Sequence, residues 1–595
     1  MLLTSIKLKG FRNFKKASIK FCSKTLIIGS NDVGKTNLLW AIRLLLDRSL
    51  SDYEIEPQDS DFFAYEETNE FEILLCFKNV VDDCIVSKMK GKISDDNKLY
   101  LCYRAFRDPI TKIKTFNLFA GPSIDKLEEI EDRYYRKVLN VKYISGRRDF
   151  HNFINKEKNY LFQAAKENRD PEQIEEDSKL YSDIQNDLKN VDSKIPKLNF
   201  ISSATDKLNQ ELSKLSLHHT NQTVVFNTSS SNIDTFISHV SIASRASDQY
   251  VMIGGDGRLN QIYLALWASR NGLTEDSLTE VTIFLIEEPE AHLHPHQQRK
   301  LAQYLNSELK GQVLLTSHSP QIASEFSPNS MIRLLRNKNE THAASNGCSK
   351  IIEDAFNDFG FRMSIIPAEA FFSDAVLLIE GPSEELFYKT ISNQISIDLD
   401  RLNISVLMVD GVGFGTFIKI LNALEIGWVI RTDNDVFKIP NKDKEHYAGI
   451  QRLIKYYKEY FEPNEDTEKI LLENENYLSW EIDKGPNSQN ISSAQIIKDE
   501  LTNYNLFLSD KDLENDIYES PIKNSIIKYF GSDSKNDIIA AMQTKKAIFM
   551  YEFLKNNKSS LSKLKNHSLT FPLMACVNII NSLQNDPHGT TANNT

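Results

Sequence analysis

Short apolar runs separated by turn residues dominate the N-terminal part of the chain. The run at 25–28 (TLII) is followed by a glycine-bearing loop and by NLLWAIRLLLDR, whose apolar positions recur at helical spacing. This order predicts a strand, a loop and a helix that begins near Asn37. The same alternation returns between about 225 and 345, where the runs at 281–287 and 314–316 predict two more strands.

The pattern changes to that of charged helices between about 150 and 225. Apolar residues step by three or four positions, and Pro196 stops the first stripe. The two stripes consist of Leu180, Ile184, Leu188, Val191 and Ile195, then Leu208, Leu212 and Leu215. We expect a helical hairpin that serves packing or dimerisation rather than a long coiled coil.

Beyond about residue 370, apolar strand-like runs alternate with helical segments. The runs at 376–379, 404–409 and 428–432 are each followed by acidic residues or glycine. Strands that alternate with helices predict a mainly parallel sheet, whose sites lie at the carboxyl ends of its strands. The chain is therefore predicted to be α/β, with polar residues at 345–350 as a boundary.

Composition adds limits to this picture. The 595 residues carry a net charge of −12, which argues against a protein that coats nucleic acid through bulk charge but not against one local basic groove. Between 531 and 567, seven lysines outnumber three acids, so this stretch is either a phosphate-contacting face or a solvated helix face. The six cysteines form no CxxC pair, and no apolar run reaches membrane-span length. A cytoplasmic protein without a membrane anchor is expected.

The loop GSNDVGKT at 29–36 fits the phosphate-binding pattern GxxxxGK[ST], and it lies between a predicted strand and a predicted helix. Its backbone N–H groups are expected to wrap the phosphates of ATP or another nucleoside triphosphate. Lys35 is positioned to reach the terminal phosphates and Thr36 to bind Mg²⁺. The predicted nucleotide-binding loop residues are Asn31, Asp32, Val33, Gly34, Lys35 and Thr36.

Three later motifs fit the same site. The strand at 281–287 delivers Glu287 for Mg²⁺ and Glu288 to polarise the attacking water. LLTSHSP places His318 beyond another strand, near a γ-phosphate, although a lone histidine is more often structural. GGDGR at 254–258 offers flexible backbone for a phosphate from a second subunit.

The order of these motifs resembles the ABC ATPases of the RecF and SMC type, and FRNF at 11–14 is similar to their start. That resemblance implies two heads that sandwich nucleotide, hence a homo-oligomer, a dimer or a tetramer. The Ser-Gly-Gly signature is not present as such, and Glu287 stands where an aspartate is usual, which puts fast turnover in doubt. The histidines at 292, 294 and 296 suggest a metal site, but HLHP is also how this family's loop reads.

Three acidic clusters mark the C-terminal half. Glu380 follows the run at 376–379, with Glu384 one helical turn later, and Asp433 and Asp435 follow the run at 428–432. The segment at 509–519 adds Asp512, Glu514 and Asp516. Each cluster alone also fits a helix start or a turn. Together they predict carboxylate ligands for hard divalent ions, and Lys546 can neutralise charge developing on a phosphate, unless it is a plain surface lysine.

This half resembles the TOPRIM domain of the OLD (overcoming lysogenization defect) nucleases, which join an ABC ATPase to a TOPRIM nuclease and include the nucleases of Gabija anti-phage systems. The stretches that carry the resemblance are NDVGKTN, GDGR, LIEEPE, TSHSP, LLIEGPSE, TDND and DLENDIY.

The resemblance implies particular roles for these residues. Glu380, Asp433 and Asp435 look like ligands of a first Mg²⁺ (or Mn²⁺), and Glu384, Asp512 and Glu514 like ligands of a second. Glu380, Glu288 and Lys546 are the expected catalytic residues, with Lys545 as the alternative lysine and Asp516 as a supporting acid. Gly411 and Gly413 match the family's glycine turn.

The combined hypothesis is a nucleotide-regulated, Mg²⁺-dependent DNA endonuclease of anti-phage defence, inhibited by ATP. Expected boundaries are 1–149 and 226–348 for the ATPase, 150–225 for the helical dimerisation insert and 349–595 for the TOPRIM nuclease part. Double-stranded DNA is the expected substrate, and the resemblance alone implies a UvrD-like helicase partner, GajB. Two alternatives stay open: a RecF- or SMC-like DNA repair protein with a non-cleaving TOPRIM scaffold, and a topoisomerase-like enzyme whose catalytic tyrosine has no evident position.

Overall fold

A computed structural model describes residues 1–146, 150–215, 280–348, 368–409 and 413–585, with short pieces between 233 and 266. The strands are β1 Leu2–Phe11, β2 Phe14–Lys20, β3 Lys24–Ile28, β4 Glu70–Lys78, β5 Leu99–Arg107, β6 Lys114–Gly121, β7 Glu128–Glu129, β8 Leu139–Ile144, β9 Ala243–Ala246, β10 Gln249–Met252, β11 Val281–Glu287, β12 Gln312–Thr316, β13 Met331–Asn337, β14 Glu340–Ala343, β15 Ala375–Ile379, β16 Ile404–Met408, β17 Gly427–Thr432, β18 Val436–Lys438, β19 Lys444–Tyr447, β20 Ser479–Glu481 and β21 Leu506–Leu508.

The α-helices lie mainly in the middle and in the C-terminal half of the chain. They are α1 Lys35–Leu46, α2 Asp52–Ile55, α3 Asp83–Lys88, α4 Phe150–Glu167, α5 Pro171–Lys194, α6 Asn199–Leu215, α7 Pro295–Gln303, α8 Pro320–Ala323, α9 Pro382–Gln394, α10 Phe414–Ala423, α11 Ala448–Tyr460, α12 Glu465–Asn474, α13 Ser488–Leu501, α14 Leu513–Tyr518, α15 Lys523–Phe530, α16 Lys535–Thr544, α17 Lys546–Asn557 and α18 Phe571–Asn585.

Two six-stranded sheets form the N-terminal part. The first has the order β2-β1-β4-β5-β6-β7 and is antiparallel throughout. The second has the order β14-β13-β3-β12-β11-β8 and is parallel except at the β13–β14 edge. All five residues of β12 are buried, because helices and the first sheet cover both faces. The parallel sheet brings the ends of β3, β11 and β12 to one edge.

The C-terminal part is built on a four-stranded parallel sheet of order β16-β15-β17-β21. The three strands that the apolar runs predicted are confirmed, and the short strand β21 is a fourth that they did not reveal. All five residues of β15 are buried, which explains the unbroken apolar run AVLLI. A small antiparallel sheet, β18-β19-β20, follows β17.

Arg333 joins the parallel sheet of the N-terminal part to the C-terminal part. It lies on β13, which pairs with β3, and its side chain is only 5% exposed. Its guanidinium donates to the carbonyl oxygens of Leu424 (3.2 Å), Glu425 (2.9 Å) and Ser373 (2.8 Å), and to Asp374 Oδ1 (2.8 Å). A buried arginine needs this many acceptors, so these bonds fix the sheet to the segments that precede β15 and β17.

The chain divides into two compact units, one of residues 1–146, 278–290 and 295–595 and the other of residues 147–277 and 291–294. The second unit contains the predicted helical insert. Asp170 and Gln173 form a capping box at the start of α5, and the helix ends before Ile195 and Pro196, where the sequence pattern predicted the stop. The exact domain limits and the dimerisation role of this insert remain predictions.

Candidate functional site

The glycine-rich loop follows β3 and leads directly into α1, as predicted. Lys35 is turned inward, and its Nζ donates to the carbonyl oxygens of Gly29 (3.0 Å) and Ser30 (2.8 Å). Burial lowers the pKa of Lys35 to about 8, although the surrounding acids oppose this. The lysine is thus held by the loop's own backbone, in the cradle where a phosphate is expected to bind.

The hairpin turn at 11–14 (FRNF) contacts this loop and holds it in place. Asn13 Nδ2 donates to the carbonyl oxygen of Val33 at 2.8 Å. Gly34 has a φ of 107°, and a Cβ there would lie 2.0 Å from Asn13 Nδ2. Residue 34 must therefore be glycine on both conformational and steric grounds. The motif at 11–14 acts on the loop through contact, a role that the sequence pattern did not reveal.

The acids after β11 lie beside the loop. The Thr36 hydroxyl and the Tyr143 hydroxyl donate to the two oxygens of Glu287. Glu288 has a positive φ of 43°, and its carboxylate oxygen Oε1 is 3.4 Å from His318 Nε2. Burial, together with the charge of Lys35, lowers the pKa of His318, so this ring is neutral at pH 7. The structure thus brings Lys35, Thr36, Glu287, Glu288 and His318 together.

Glu290, the last acid of EEPE, is a supporting residue that the sequence analysis missed. Its Oε1 accepts from Ser317 Oγ and from the His318 backbone N–H, both at 2.7 Å. Burial raises the pKa of Glu290. The available signal was the position of EEPE at the end of an apolar strand. Glu290 ties the loop after β11 to the loop after β12.

The remaining predicted nucleotide contacts are less fully described. Asn31, Asp32 and Val33 form the tip of the loop; Asp32 takes a positive φ of 60°, and Val33 is buried. Of GGDGR, residues 254–256 lie outside the described residues, as does Gly411. Gly413 has a φ of 89° at the start of α10, a conformation that favours glycine.

A cavity of about 800 Å³ opens beside the nucleotide loop. Its lining includes Gly29, Ser30, Asn31 and His318 from the N-terminal part, and Asp374, Asp400, Asn403 and Glu425 from the C-terminal part. The cavity also exposes His342, whose Nε2 is 2.9 Å from Glu425 Oε2. Nucleotide at the loop therefore faces a space that both parts of the chain enclose.

The second site lies at the carboxyl ends of β15 and β17. The Thr432 hydroxyl donates to Glu380 Oε1, and the Asp433 backbone N–H reaches the same oxygen at 3.2 Å. Asp433 Oδ1 accepts from Ser509 Oγ at 3.0 Å, just beyond β21. The adjacent parallel strands thus bring Glu380 and Asp433 together, as the sequence predicted.

Two arginines that no motif indicated neutralise these carboxylates. Arg452, on α11, donates from Nη1 to Glu380 Oε1 (2.8 Å) and from Nη2 to Asp435 Oδ2 (3.4 Å). Arg431, inside β17, is 3% exposed and contacts Glu384, Asp433 (3.2 Å) and Asp516 (3.1 Å). Asp516 therefore supports Arg431.

Glu384 is the most heavily engaged of the predicted ligands. Its Oε2 accepts from the backbone N–H groups of Glu380 (2.7 Å) and Gly381 (3.0 Å), which caps α9, and its Oε1 accepts from Arg431. Burial outweighs the adjacent guanidinium and raises the pKa of Glu384 to about 7. In this arrangement a metal ion reaches Glu384 only if some of these bonds are given up.

The third acidic cluster faces Lys546. Asp512 caps α14 through the Asn515 backbone N–H (2.8 Å) and also accepts from Gln543 (2.7 Å). Glu514 is buried at 1% exposure, and its Oε2 lies 3.2 Å from Lys546 Nζ. Lys545 is exposed at the start of α17 and has no such contact with the three acidic clusters. The geometry favours Lys546 over Lys545 as the lysine of this site.

The donor set fits divalent metal ions. Seven carboxylates face three basic side chains, which leaves a formal excess of four negative charges, the charge of two divalent cations. The seven are Glu380, Glu384, Asp433, Asp435, Asp512, Glu514 and Asp516. Burial raises the pKa of Asp433, Glu514 and Asp516.

Carboxylate oxygens are the ligands that hard divalent ions prefer. Across the described parts of the chain, however, no three His, Cys, Asp or Glu side chains already converge on one metal position. Arg431 and Arg452 occupy the space between the acids instead.

The lysine-rich stretch continues away from this site. Helix α17 begins at Lys546 and is followed by a 3₁₀ segment at Lys558–Leu564. Lys555 and Lys558 are exposed, and so is Tyr551 at 57%. The phosphate-contacting role of this stretch remains a prediction.

The fold and the two sites define a P-loop ATPase joined to a parallel α/β domain with a carboxylate cluster. Residues 1–323 match the family model described as AAA ATPase domain, and residues 371–435 match the model described as overcoming lysogenization defect protein-like TOPRIM domain. The chain therefore belongs to the AAA ATPase domain family and carries an OLD-like TOPRIM domain. Both the resemblance stated from the motifs and the predicted fold class are confirmed.

Several curated proteins are similar along much of the chain. Endonuclease GajA of Bacillus cereus strain VD045 is 26% identical over 93% of this chain and 95% of its own length. The Old nuclease of Escherichia phage P2 is 25% identical over 73% of this chain and 77% of its own length. The OLD nuclease of Thermus scotoductus is 26% identical over 27% of this chain and 32% of its own length. Across the described residues, no helix is both long and apolar enough to span a membrane.

Proposed function

We propose that this protein is a divalent-metal-dependent DNA endonuclease whose activity is inhibited by ATP bound at the P-loop. The observation that carries this proposal is the carboxylate cluster itself: Glu380, Asp433 and Asp435 lie at the ends of adjacent parallel strands, with Lys546 and Glu514 beside them. The similarity to proteins named as nucleases over most of the chain supports the same conclusion.

The proposed reaction is hydrolysis of a phosphodiester. A water oxygen bonds to phosphorus while the bond from phosphorus to one sugar oxygen breaks, and that sugar oxygen leaves with a proton. Two Mg²⁺ ions, or Mn²⁺ ions, stabilise charge on the attacking and leaving oxygens when they are bound. Glu380, Asp433 and Asp435 are proposed to hold the first ion, and Glu384, Asp512 and Glu514 the second.

The chain's own residues orient and neutralise the phosphate. Lys546 stays protonated, because Glu514 and Asp433 raise its pKa against the effect of burial. Its ammonium group is placed to stabilise the charge that develops on the phosphate oxygens. Arg431, which is buried in β17, keeps Glu384, Asp433 and Asp516 in place. Glu380 is proposed both as a ligand of the first metal ion and as a catalytic residue.

Nucleotide control is proposed to act through the joint between the two parts. Strand β3 leads into the P-loop and pairs with β13, and Arg333 of β13 holds the segments before β15 and β17. Those two strands carry Glu380 and Asp433 at their ends. A shift of the P-loop on ATP binding therefore has a short, bonded route to the carboxylates. Glu287 and Glu288 are proposed to bind Mg²⁺ and to polarise water at the nucleotide.

The wider setting is proposed from the resemblance of the motifs to those of the OLD nucleases. Anti-phage defence in the cytoplasm, double-stranded DNA as substrate and homo-oligomers formed through the ATPase part and its insert are proposed on this basis. A UvrD-like helicase, GajB, is the proposed partner. Lys555 and Lys558, in and just after α17, are exposed and are proposed as further phosphate contacts.

The test is supercoiled plasmid incubated with the purified protein in Mg²⁺, in EDTA and in Mg²⁺ with ATP, with free Mg²⁺ held constant. We expect cleavage in Mg²⁺, none in EDTA and less with ATP. Nucleotide hydrolysis and DNA binding without cleavage would instead support the repair-protein alternative. A covalent phosphotyrosine intermediate would identify a topoisomerase-like enzyme.

A further inference from the structure

Arg452 occupies a place between two of the carboxylates proposed to hold the first metal ion. It extends from α11, and its Nη1 is 2.8 Å from Glu380 Oε1 and 2.7 Å from Thr432 Oγ1. Its Nη2 reaches Asp435 Oδ2 at 3.4 Å. One guanidinium therefore bridges two acids that come from the ends of different strands.

Arg452 differs from Arg431 in how firmly it is held. The Arg431 side chain is 3% exposed and contacts three carboxylates, so its removal would leave buried, unpaired negative charge. The Arg452 side chain is 30% exposed, and the acids it contacts, Glu380 and Asp435, are 31% and 38% exposed. Arg452 can therefore turn into solvent on its long flexible side chain without leaving a buried charge behind.

We infer that Arg452 is a built-in competitor for the first divalent ion: it holds Glu380 and Asp435 in the metal-free protein and is displaced when the ion binds. This inference rests on the proposed function. A guanidinium does not lose its proton at any physiological pH, so the exchange is a displacement of one cation by another and not a titration. Arg452 thereby sets the concentration of divalent ion at which the carboxylates are filled. It is a positioning residue, since it acts through the two acids.

The experiment is calorimetric titration of the full-length protein with Mn²⁺, in the absence of DNA and nucleotide. Arg452→Gln removes the competing charge, and Lys455→Gln removes a charge from an exposed position one turn along the same helix. We expect Lys455→Gln to bind Mn²⁺ as the unmodified protein does, and Arg452→Gln to bind it about tenfold more tightly at one site. Unchanged or weaker binding by Arg452→Gln would overturn the inference.

A second variant covers the case in which Arg452→Gln does not fold. Arg452→Lys keeps the charge but cannot bridge two carboxylates with one planar group, so we expect Mn²⁺ to bind roughly threefold more tightly. Equal affinity for this variant and the unmodified protein also overturns the inference.

Asp433→Asn separates this question from the proposed function. If the unmodified protein binds no Mn²⁺, or if Asp433→Asn keeps every site, the carboxylates are not the metal site and the proposed function fails. If the unmodified protein binds Mn²⁺, Asp433→Asn loses a site and Arg452→Gln changes nothing, only the role of Arg452 is wrong.

Discussion

The P-loop and the carboxylate cluster are both built at the carboxyl ends of parallel strands, yet different groups hold their key side chains. At the P-loop a single buried lysine is held by the carbonyl oxygens of Gly29 and Ser30. At the carboxylate cluster, acids from the ends of two strands and from two helix starts are held by Arg431, Arg452 and Lys546. Lys35 is thus held by uncharged oxygens, whereas the acids of the cluster are held by cations.

The difference shows how each ligand must bind. A nucleotide has to take Lys35 from backbone carbonyls, which are uncharged and stay in place. A metal ion at Glu380 and Asp435 has to take these carboxylates from Arg452, which carries a full charge and must move away. The first exchange breaks hydrogen bonds between one charged donor and two neutral acceptors, whereas the second breaks ion pairs in which both partners carry a full charge. We therefore expect the carboxylates to be harder to free for a metal ion than Lys35 is for a nucleotide.

The strongest test of this contrast is Asp433→Asn, which removes a charge from the carboxylate site alone. We expect DNA cleavage to fall about a thousandfold, the equivalent of ~4 kcal/mol, because metal ions supply several kcal/mol of charge stabilisation. Nucleotide binding should not change. Plasmid cleavage and ATP titration measure the two sites separately. Asp443→Asn, at a 93% exposed position, is the matched control; cleavage at the normal rate by Asp433→Asn would refute the site.

Lys546→Ala is expected to have the next largest effect. Loss of a group that stabilises transition-state charge should lower the single-turnover cleavage rate about a hundredfold with little loss of DNA affinity. Saturating enzyme and a labelled duplex give the rate, and salt-dependent binding gives the affinity. Lys545→Ala is the control, because Lys545 is adjacent and exposed. A normal rate for Lys546→Ala with a reduced rate for Lys545→Ala would reverse the assignment.

Lys35→Ala tests whether the two sites communicate. If ATP at the P-loop inhibits cleavage, this variant should need at least about tenfold more ATP for half inhibition, since its main phosphate contact is gone. By reciprocity, DNA should weaken ATP binding to the unmodified protein by the factor that ATP weakens DNA binding. Cleavage against ATP concentration, at constant free Mg²⁺, measures the effect. Lys16→Ala, exposed on β2, is the control; identical curves would mean that the P-loop does not control cleavage.

The smallest expected effect is the uptake of a fraction of a proton when ATP binds. Because burial lowers the pKa of Lys35 to about 8, this lysine is half protonated at pH 8 in the nucleotide-free protein. Phosphate groups raise the pKa again, so ATP binding at pH 8 should take up about half a proton. Calorimetry in two buffers of different ionisation enthalpy measures the uptake. Proton release, or the same uptake by Lys35→Ala, would contradict it.

Local patterns in the sequence predicted most of the architecture and most of the candidate acids. The P-loop is a contiguous strand, loop and helix within residues 24–46, and β15 is an unbroken apolar run. Strand β21 escaped prediction because Leu506–Leu508 is only three residues long. The two arginines were not predicted because their partners are distant in the sequence. Arg452 and Glu380 are 72 positions apart, and Arg431 lies in β17, where apolar residues precede it. Spacing rules see neighbours along the chain and not across a sheet.

The buried position of Arg333 has a consequence for modularity. Its donors come from one half of the chain and its acceptors, Ser373, Asp374, Leu424 and Glu425, come from the other. A fragment that starts at residue 368 would lose this donor and exchange its hydrogen bonds for bonds to water. The two halves are therefore not interchangeable cassettes. A chimaera that joins the ATPase half of one relative to the nuclease half of another must inherit this arginine and its acceptors as a matched set.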